Sequence, residues 1–166
     1  NPDGRIYAVT KSFDAKAGAV SVDADVPFQL NGTEFVGGAF NILDVFTAGA
    51  EFVRARSGRF PGPVTAYWEP GNTSGTYFDG TKISVLGGTP EGDHDEYDDD
   101  VLWHEYGHFL EDEFGNLDSR GDRHLLGDNS QDLRLAWSEG WSDYLSGAVK
   151  RWLAMQGSEI PSGHGL

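Results

Sequence analysis

His104-Glu105-Tyr106-Gly107-His108 is the stretch that decides the fold of this chain. It has the form H-E-x-x-H, and in a helix its two histidines lie one turn apart on the same face. Two imidazoles in that arrangement suit neighbouring ligand positions of a tetrahedral zinc ion, and the glutamate between them would lie beside the metal as a proton acceptor. The motif therefore predicts a helix that carries a hydrolytic zinc site.

A third protein ligand must come from elsewhere, because a catalytic zinc site has three protein ligands and leaves the fourth position for water. The extended motif H-E-x-x-H-x-x-G-x-x-H is excluded, since Glu111 and Phe114 stand in place of its glycine and its third histidine. The inverted order H-x-x-E-H is absent from the sequence. The remaining pattern is a glutamate on a second helix further along the chain.

The string Trp137-Ser138-Glu139-Gly140-Trp141-Ser142-Asp143 supplies such a glutamate. Glu139 follows His108 at a distance that leaves room for a turn and a returning helix. Asp143 lies one helical turn after Glu139 on the same face. Histidines that bind metals usually donate their other N–H to a carboxylate, so Asp143 is predicted to orient His104.

Hydrophobic periodicity and turn residues divide the chain into three helices and several short strands. The helices are predicted over residues 40–56, 98–113 and 133–155, and the strands over 5–10, 19–22, 64–68, 76–78 and 82–86, with a hairpin turn at Asp79-Gly80. The broad apolar face of the last helix is predicted at Leu133, Trp137, Trp141, Tyr144, Ala148 and Trp152, with Leu145 and Val149 alongside. The pattern indicates one α+β domain over residues 1–166, in which a small mixed or antiparallel sheet packs on helices. Residues 1–38 form a β-rich N-terminal segment of unclear role in this interpretation, and residues 157–166 form an irregular tail.

The two zinc-site strings together resemble the gluzincins, the group of zinc metallopeptidases that includes thermolysin and fungalysin. The string at residues 139–143 is most similar to fungalysin-type sequences, and residues 77–87 are similar to the paired strands before the zinc helix of thermolysin-like enzymes. The resemblance covers roughly residues 40–155 and implies a zincin-like fold. It implies that His104, His108 and Glu139 hold Zn²⁺, that Glu105 is the catalytic base, and that polypeptides are the substrate.

The resemblance also implies two roles outside the zinc site. Ile83, Ser84 and Val85, in the strand at 82–86, would align an extended substrate through backbone hydrogen bonds. Asp100 matches an acidic position that helps to bind Ca²⁺ in thermolysin relatives. It ends an acidic run, residues 91–100, in which seven of ten positions are Asp or Glu. A solvated loop is the alternative interpretation of that run.

One part of the gluzincin pattern is missing downstream of Glu139. Related enzymes supply a histidine from a helical lobe to stabilise the oxyanion, whereas His164, in a glycine-rich tail, is the only later histidine here. The sequence therefore predicts a minimal or truncated catalytic core. The aminopeptidase pattern G-x-M-E-N is not matched by residues 86–90, which favours endopeptidase activity. A zinc-binding core with little activity in the absence of a C-terminal helical lobe, and a calcium-dependent adhesion protein, are the alternatives.

Composition limits the classes of function further. The net charge of −15 disfavours nucleic acid as a partner, because an acidic surface repels phosphates. The absence of cysteine excludes thiol catalysis, cysteine-bound zinc and disulfides. The sequence contains no run of 18 apolar residues, so it predicts no membrane-spanning helix. The chain begins at Asn1 without a signal peptide, so we expect a processed piece of a longer product that acts extracellularly or at the cell surface. The sequence does not specify an oligomeric state.

Overall fold

Three helices and a three-stranded sheet make up the described part of the computed structural model, which covers residues 37–88, 92–115 and 130–157. The helices are α1 (Gly37–Ser57), α2 (Asp99–Phe114) and α3 (Leu133–Met155). The strands are β1 (Ala66–Trp68), β2 (Tyr77–Phe78) and β3 (Ile83–Val85), and a 3₁₀ turn spans Asp95–Tyr97. The predicted α+β class with a small mixed sheet is confirmed. The strands predicted at 5–10 and 19–22 and the tail beyond residue 157 lie outside the described residues.

The sheet has the order β1-β3-β2, with β1 parallel and β2 antiparallel to the central strand. The predicted hairpin at Asp79-Gly80 is present, because Tyr77 pairs with Ser84 and Phe78 pairs with Ile83. The Asp79 carboxylate accepts hydrogen bonds from the backbone N–H groups of residues 81 and 82. Gly80 has φ of 88°, a conformation that side chains with a Cβ disfavour. The turn chemistry of the sequence thus fixes the register between β2 and β3.

Helix α2 lies at the centre of the molecule and contacts both other helices and the sheet. The Asp98 side chain caps its N-terminus by accepting from the N–H groups of residues 100 and 101. The Trp103 indole donates to the Val45 carbonyl of α1 at 2.9 Å, and the Phe109 ring meets Phe78 of β2 edge to face. Helix α1 and the sheet cover the other sides of α2, so one face remains for packing against α3. Both motif histidines lie on this face.

Helix α3 packs on α2 through a face rich in small residues. Its buried residues are Leu135, Ser138, Ser142, Leu145, Ser146 and Val149. The predicted apolar face was correct at Leu145 and Val149, which are buried. It was wrong at Leu133, Trp137 and Tyr144, which are 85%, 63% and 67% exposed. The physical reason is steric: a Cβ built on Gly107 of α2 would lie 2.8 Å from Ser142, so the crossing admits only small side chains. Because α2 and α3 cross so closely, their side chains come into direct contact.

Candidate metal centre

The helices α2 and α3 bring His104, His108 and Glu139 to one point. The Nε2 atoms of the two histidines lie 3.2 Å apart. Glu139 Oε2 lies 3.1 Å from His104 Nε2, and its Oε1 lies 3.5 Å from His108 Nε2. The three side chains are about one-fifth exposed, so the cluster is open to solvent on one side. Within the described residues, this is the one group of three metal-ligating side chains that is close enough to hold an ion.

The geometry and chemistry of this cluster fit a zinc ion. A tetrahedral zinc with bonds of about 2.0–2.1 Å separates its ligand atoms by about 3.3–3.4 Å. The observed separations of 3.1, 3.2 and 3.5 Å are close to that value. Two imidazoles and one glutamate are also an established donor set of catalytic zinc sites. The predicted ligands are therefore placed together by the fold, and their binding of zinc stays a prediction.

His104 is held by carboxylates on both ring nitrogens. Its Nδ1 lies 2.8 Å from Asp143 Oδ1, which is the contact predicted from the sequence, and its Nε2 faces Glu139. Burial by itself lowers the pKa of His104. The hydrogen bond to Glu139, the charge of Glu105 and the hydrogen bond to Asp143 outweigh burial and raise this pKa to about 9. The carboxylates around His104 thus stabilise positive charge at the site, here as a proton on the imidazole ring.

His108 is held from behind by groups that the sequence did not predict. Its Nδ1 lies 3.1 Å from Ser138 Oγ, 3.2 Å from Ser142 Oγ and 3.5 Å from Glu111 Oε2. Ser138 in turn donates its hydroxyl hydrogen to Glu111 Oε2. Burial lowers the pKa of His108, and the Glu139 and Glu111 carboxylates only partly offset this effect. His108 therefore favours the neutral form that a metal ligand requires.

Glu105 lies next to the cluster and is buried, with 9% of its surface exposed. Its Oε2 accepts a hydrogen bond of 2.8 Å from the backbone N–H of Phe78 in β2. Its charge is close enough to His104 to raise the pKa of that histidine. The contact with β2 fixes the orientation of the carboxylate, and it also shows that the outer edge of β2 faces the cluster.

The strand predicted to align a substrate was the wrong member of the hairpin. Ile83, Ser84 and Val85 form the central strand, are fully buried, and pair with β1 on one side and β2 on the other. An extended peptide cannot add to a strand whose two edges are already occupied. Strand order depends on pairing between distant segments, so it was not visible in the local pattern. Among the strands that the structure describes, the edge strand beside the cluster is β2.

Asp100, the predicted calcium ligand, lies against α3. The Ser146 hydroxyl donates to its Oδ1 at 2.6 Å, and the Lys150 ammonium donates to its Oδ2. Both carboxylate oxygens are thus engaged by groups of this chain. A calcium ion bound here would compete with the Lys150 charge, so calcium stays a prediction that this contact disfavours.

Glu111, Ser138 and Ser142 are the site residues that sequence reasoning missed. Glu111 lies three residues after His108, which places both on one face of α2, and Ser138 directly precedes Glu139. The spacing was a usable signal for Glu111. The close crossing of α2 and α3, which brings Ser138 between Glu111 and His108, was not readable from either helix alone.

The comparisons with known proteins assign the chain to a family. The model of the family described as "Mycolysin C-terminal domain" matches residues 55–157, more than half of the chain, including the three strands, α2 and α3. The chain belongs to this family. No curated protein and no solved structure gives a significant match. Membership relates the chain to the thermolysin-like peptidases, and it does not by itself give this domain a catalytic role.

The family also bears on where proteins with this domain occur. Domains of this family typically come from secreted proteases. None of the helices in the described ranges is both long and apolar enough to cross a membrane.

Proposed function

We propose that this chain is the catalytic core of a zinc-dependent endopeptidase of the gluzincin type. The observation that carries the proposal is the convergence of His104 and His108 from α2 with Glu139 from α3, at separations that suit tetrahedral zinc. The thermolysin-like relation of the family supports the same assignment. Zinc bound there would supply Lewis acidity, which lowers the pKa of a water toward about 7 and polarises the carbonyl of the peptide bond.

Glu105 is the general base and acid in this proposal. It accepts the proton of the attacking water and later gives it to the leaving amine. Its burial and its hydrogen bond from Phe78 hold the carboxylate in one orientation, so little reorganisation is needed when a proton arrives. Asp143 holds His104 through Nδ1, which leaves Nε2 directed at Glu139 and the metal position.

The polypeptide substrate binds in extended form beside β2. Among the described strands β2 is at the sheet edge, and the N–H of Phe78 points toward Glu105 rather than toward β3. A peptide beside this edge would pass the carboxylate of Glu105, and to pair with the Phe78 N–H it would have to displace that carboxylate. Backbone pairing makes few demands on side chains, so it suits an endopeptidase that cleaves within a chain.

A zinc-binding core with little activity is the second candidate, and one observation favours it. The only histidine after Glu139 is His164, which lies outside the described residues, so no oxyanion donor of the family kind is present in the described part. Loss of one such donor typically reduces the rate by about 10²- to 10³-fold. In either case we place the protein outside the cell, as the secreted proteases of this family are.

The test is cleavage of casein or a quenched fluorescent peptide by the zinc-loaded chain and by Glu105→Gln. We expect the substitution to lower kcat by about 10²- to 10⁴-fold while one equivalent of zinc is retained, because it removes the base and none of the proposed ligands. Asp112→Asn is the control, since it makes the same carboxylate-to-amide change at an exposed position of α2. Equal cleavage by Glu105→Gln and wild type would refute the assigned base. Stoichiometric zinc without cleavage by wild type would favour the binding core.

A further inference from the structure

The carboxylate of Glu111 is an unusual group for the place it occupies. It is 8% exposed, and its Oε1 has no hydrogen-bond partner among the described residues. Its Oε2 accepts from Ser138 and lies 3.5 Å from His108 Nδ1. A buried carboxylate with an unsatisfied oxygen is unfavourable for folding, so its position directly behind a proposed zinc ligand calls for an explanation.

The direction of the hydrogen bonds supplies that explanation. An ionised carboxylate can only accept, so the single hydrogen of the Ser138 hydroxyl is donated to Glu111. Ser138 Oγ can then only accept from His108 Nδ1, at 3.1 Å. This requires hydrogen on Nδ1, and in the neutral ring it leaves the lone pair on Nε2, the atom that faces Glu139 and His104. Ser142 Oγ, 3.2 Å from the same nitrogen, can accept as well and does not oppose this choice.

We propose that Glu111, acting through Ser138, is a positioning residue that sets the tautomer of His108 for metal binding. The inference rests on the proposed function, because it concerns the same zinc site. Without the Glu111 acceptor, the Ser138 hydroxyl is able to donate to Nδ1 instead. That reversal places the hydrogen of His108 on Nε2, where it blocks the lone pair that the metal needs. Asp143 plays the corresponding role for His104 from an exposed position, with 75% of its side chain accessible.

The test compares Glu111→Leu, which leaves no acceptor for Ser138, and Ser138→Ala with wild type in two measurements. The first is the zinc dissociation constant by competition with a chelator, where we expect each variant to bind about 10- to 100-fold more weakly. The second is ¹⁵N NMR of His108 in the metal-free protein at pH 8, where an ordinary histidine is neutral. We expect hydrogen on Nδ1 in wild type and a measurable Nε2–H population in both variants. Because the two residues act in series, the double variant should lose little more zinc affinity than either single variant.

Controls separate this role from a merely structural one. Glu111→Leu replaces a buried charge by an apolar side chain of similar size, so we expect its metal-free melting temperature to be equal to or above that of wild type while zinc affinity falls. Asp112→Asn removes a neighbouring exposed carboxylate and should change neither measurement. Unchanged zinc affinity with hydrogen still on Nδ1 in both variants would overturn the inference and leave the proposed function intact. If wild type bound no zinc, the proposed function would fail, and the NMR measurement would still decide whether Glu111 sets the tautomer.

Discussion

At the scale of single residues, the candidate site depends on Gly107 as much as on its ligands. Gly107 lies between Tyr106 and His108, where α2 crosses α3, and an added Cβ would meet the Cα and Oγ of Ser142 at 2.8 Å. A residue with a side chain would push α3 away from α2. Because Glu139 is on α3 and both histidines are on α2, the same displacement would separate the proposed ligands.

The Gly107→Ala variant should therefore be less stable, although alanine is the better helix former. We expect its free energy of unfolding to fall by about 1–3 kcal/mol in urea, because overpacking outweighs the gain in helix propensity. Gly147→Ala is the matched control on α3, since an added Cβ there meets nothing within 4 Å. That control should be more stable by up to about 1 kcal/mol. Equal stability of the two variants would show that the crossing is not tight at Gly107.

At the scale of elements, α2 and α3 are joined by polar contacts at two levels. The first level is the His–Glu cluster, and the second is Asp100 with Ser146 and Lys150. Burial raises the pKa of Asp100, but the hydrogen bonds from Lys150 and Ser146 and the Lys150 charge outweigh it and hold this pKa below its usual range. The ionised carboxylate thus stabilises the pairing of the two helices.

The pH dependence of this contact has a definite sign. A carboxylate whose pKa is lowered in the folded state adds stability above its unfolded pKa of about 3.8, and this stability is lost as the pH falls through the lower folded value. We expect Asp100→Asn to reduce the free energy of unfolding by about 1 kcal/mol at pH 7, and the difference from wild type to shrink below about pH 4. Urea unfolding at pH 7, 5 and 3.5 measures it. A difference that grew on acidification would contradict the assigned contact.

Features set by local sequence could be predicted, whereas features set by contacts between separate elements could not. The helix bounds, the hairpin at Asp79-Gly80 and the placement of Asp143 beside His104 follow from local spacing and turn chemistry, so they were predictable. The buried face of α3 was predictable only at Leu145 and Val149, because its three buried serines are selected by a close crossing that hydrophobic periodicity does not encode. The order of the strands also depends on pairing between separate segments, and the local pattern selected the central strand instead of the edge strand.

At the scale of the whole molecule, the fold acts as a frame that holds α2 between the sheet and α3. The sheet supplies the backbone contact that orients Glu105, and α3 supplies Glu139 and Asp143. Helix α1 completes the core behind α2 through Val45 and Trp103. The proposed base and the two proposed histidine ligands thus come from α2, which is held by contacts with the sheet and with α3, the helix that carries Glu139.

The central claim is that His104, His108 and Glu139 together hold zinc, and the zinc content of purified, dialysed protein tests it most directly. Glu51→Ala is a suitable control, because this half-buried glutamate on α1 pairs with nearby Arg54 on the same helix. We predict about one zinc per chain for wild type and for Glu51→Ala, and almost none for Glu139→Ala, measured by mass spectrometry of the metal. A full equivalent of zinc in Glu139→Ala, or none in wild type after zinc loading, would contradict the claim.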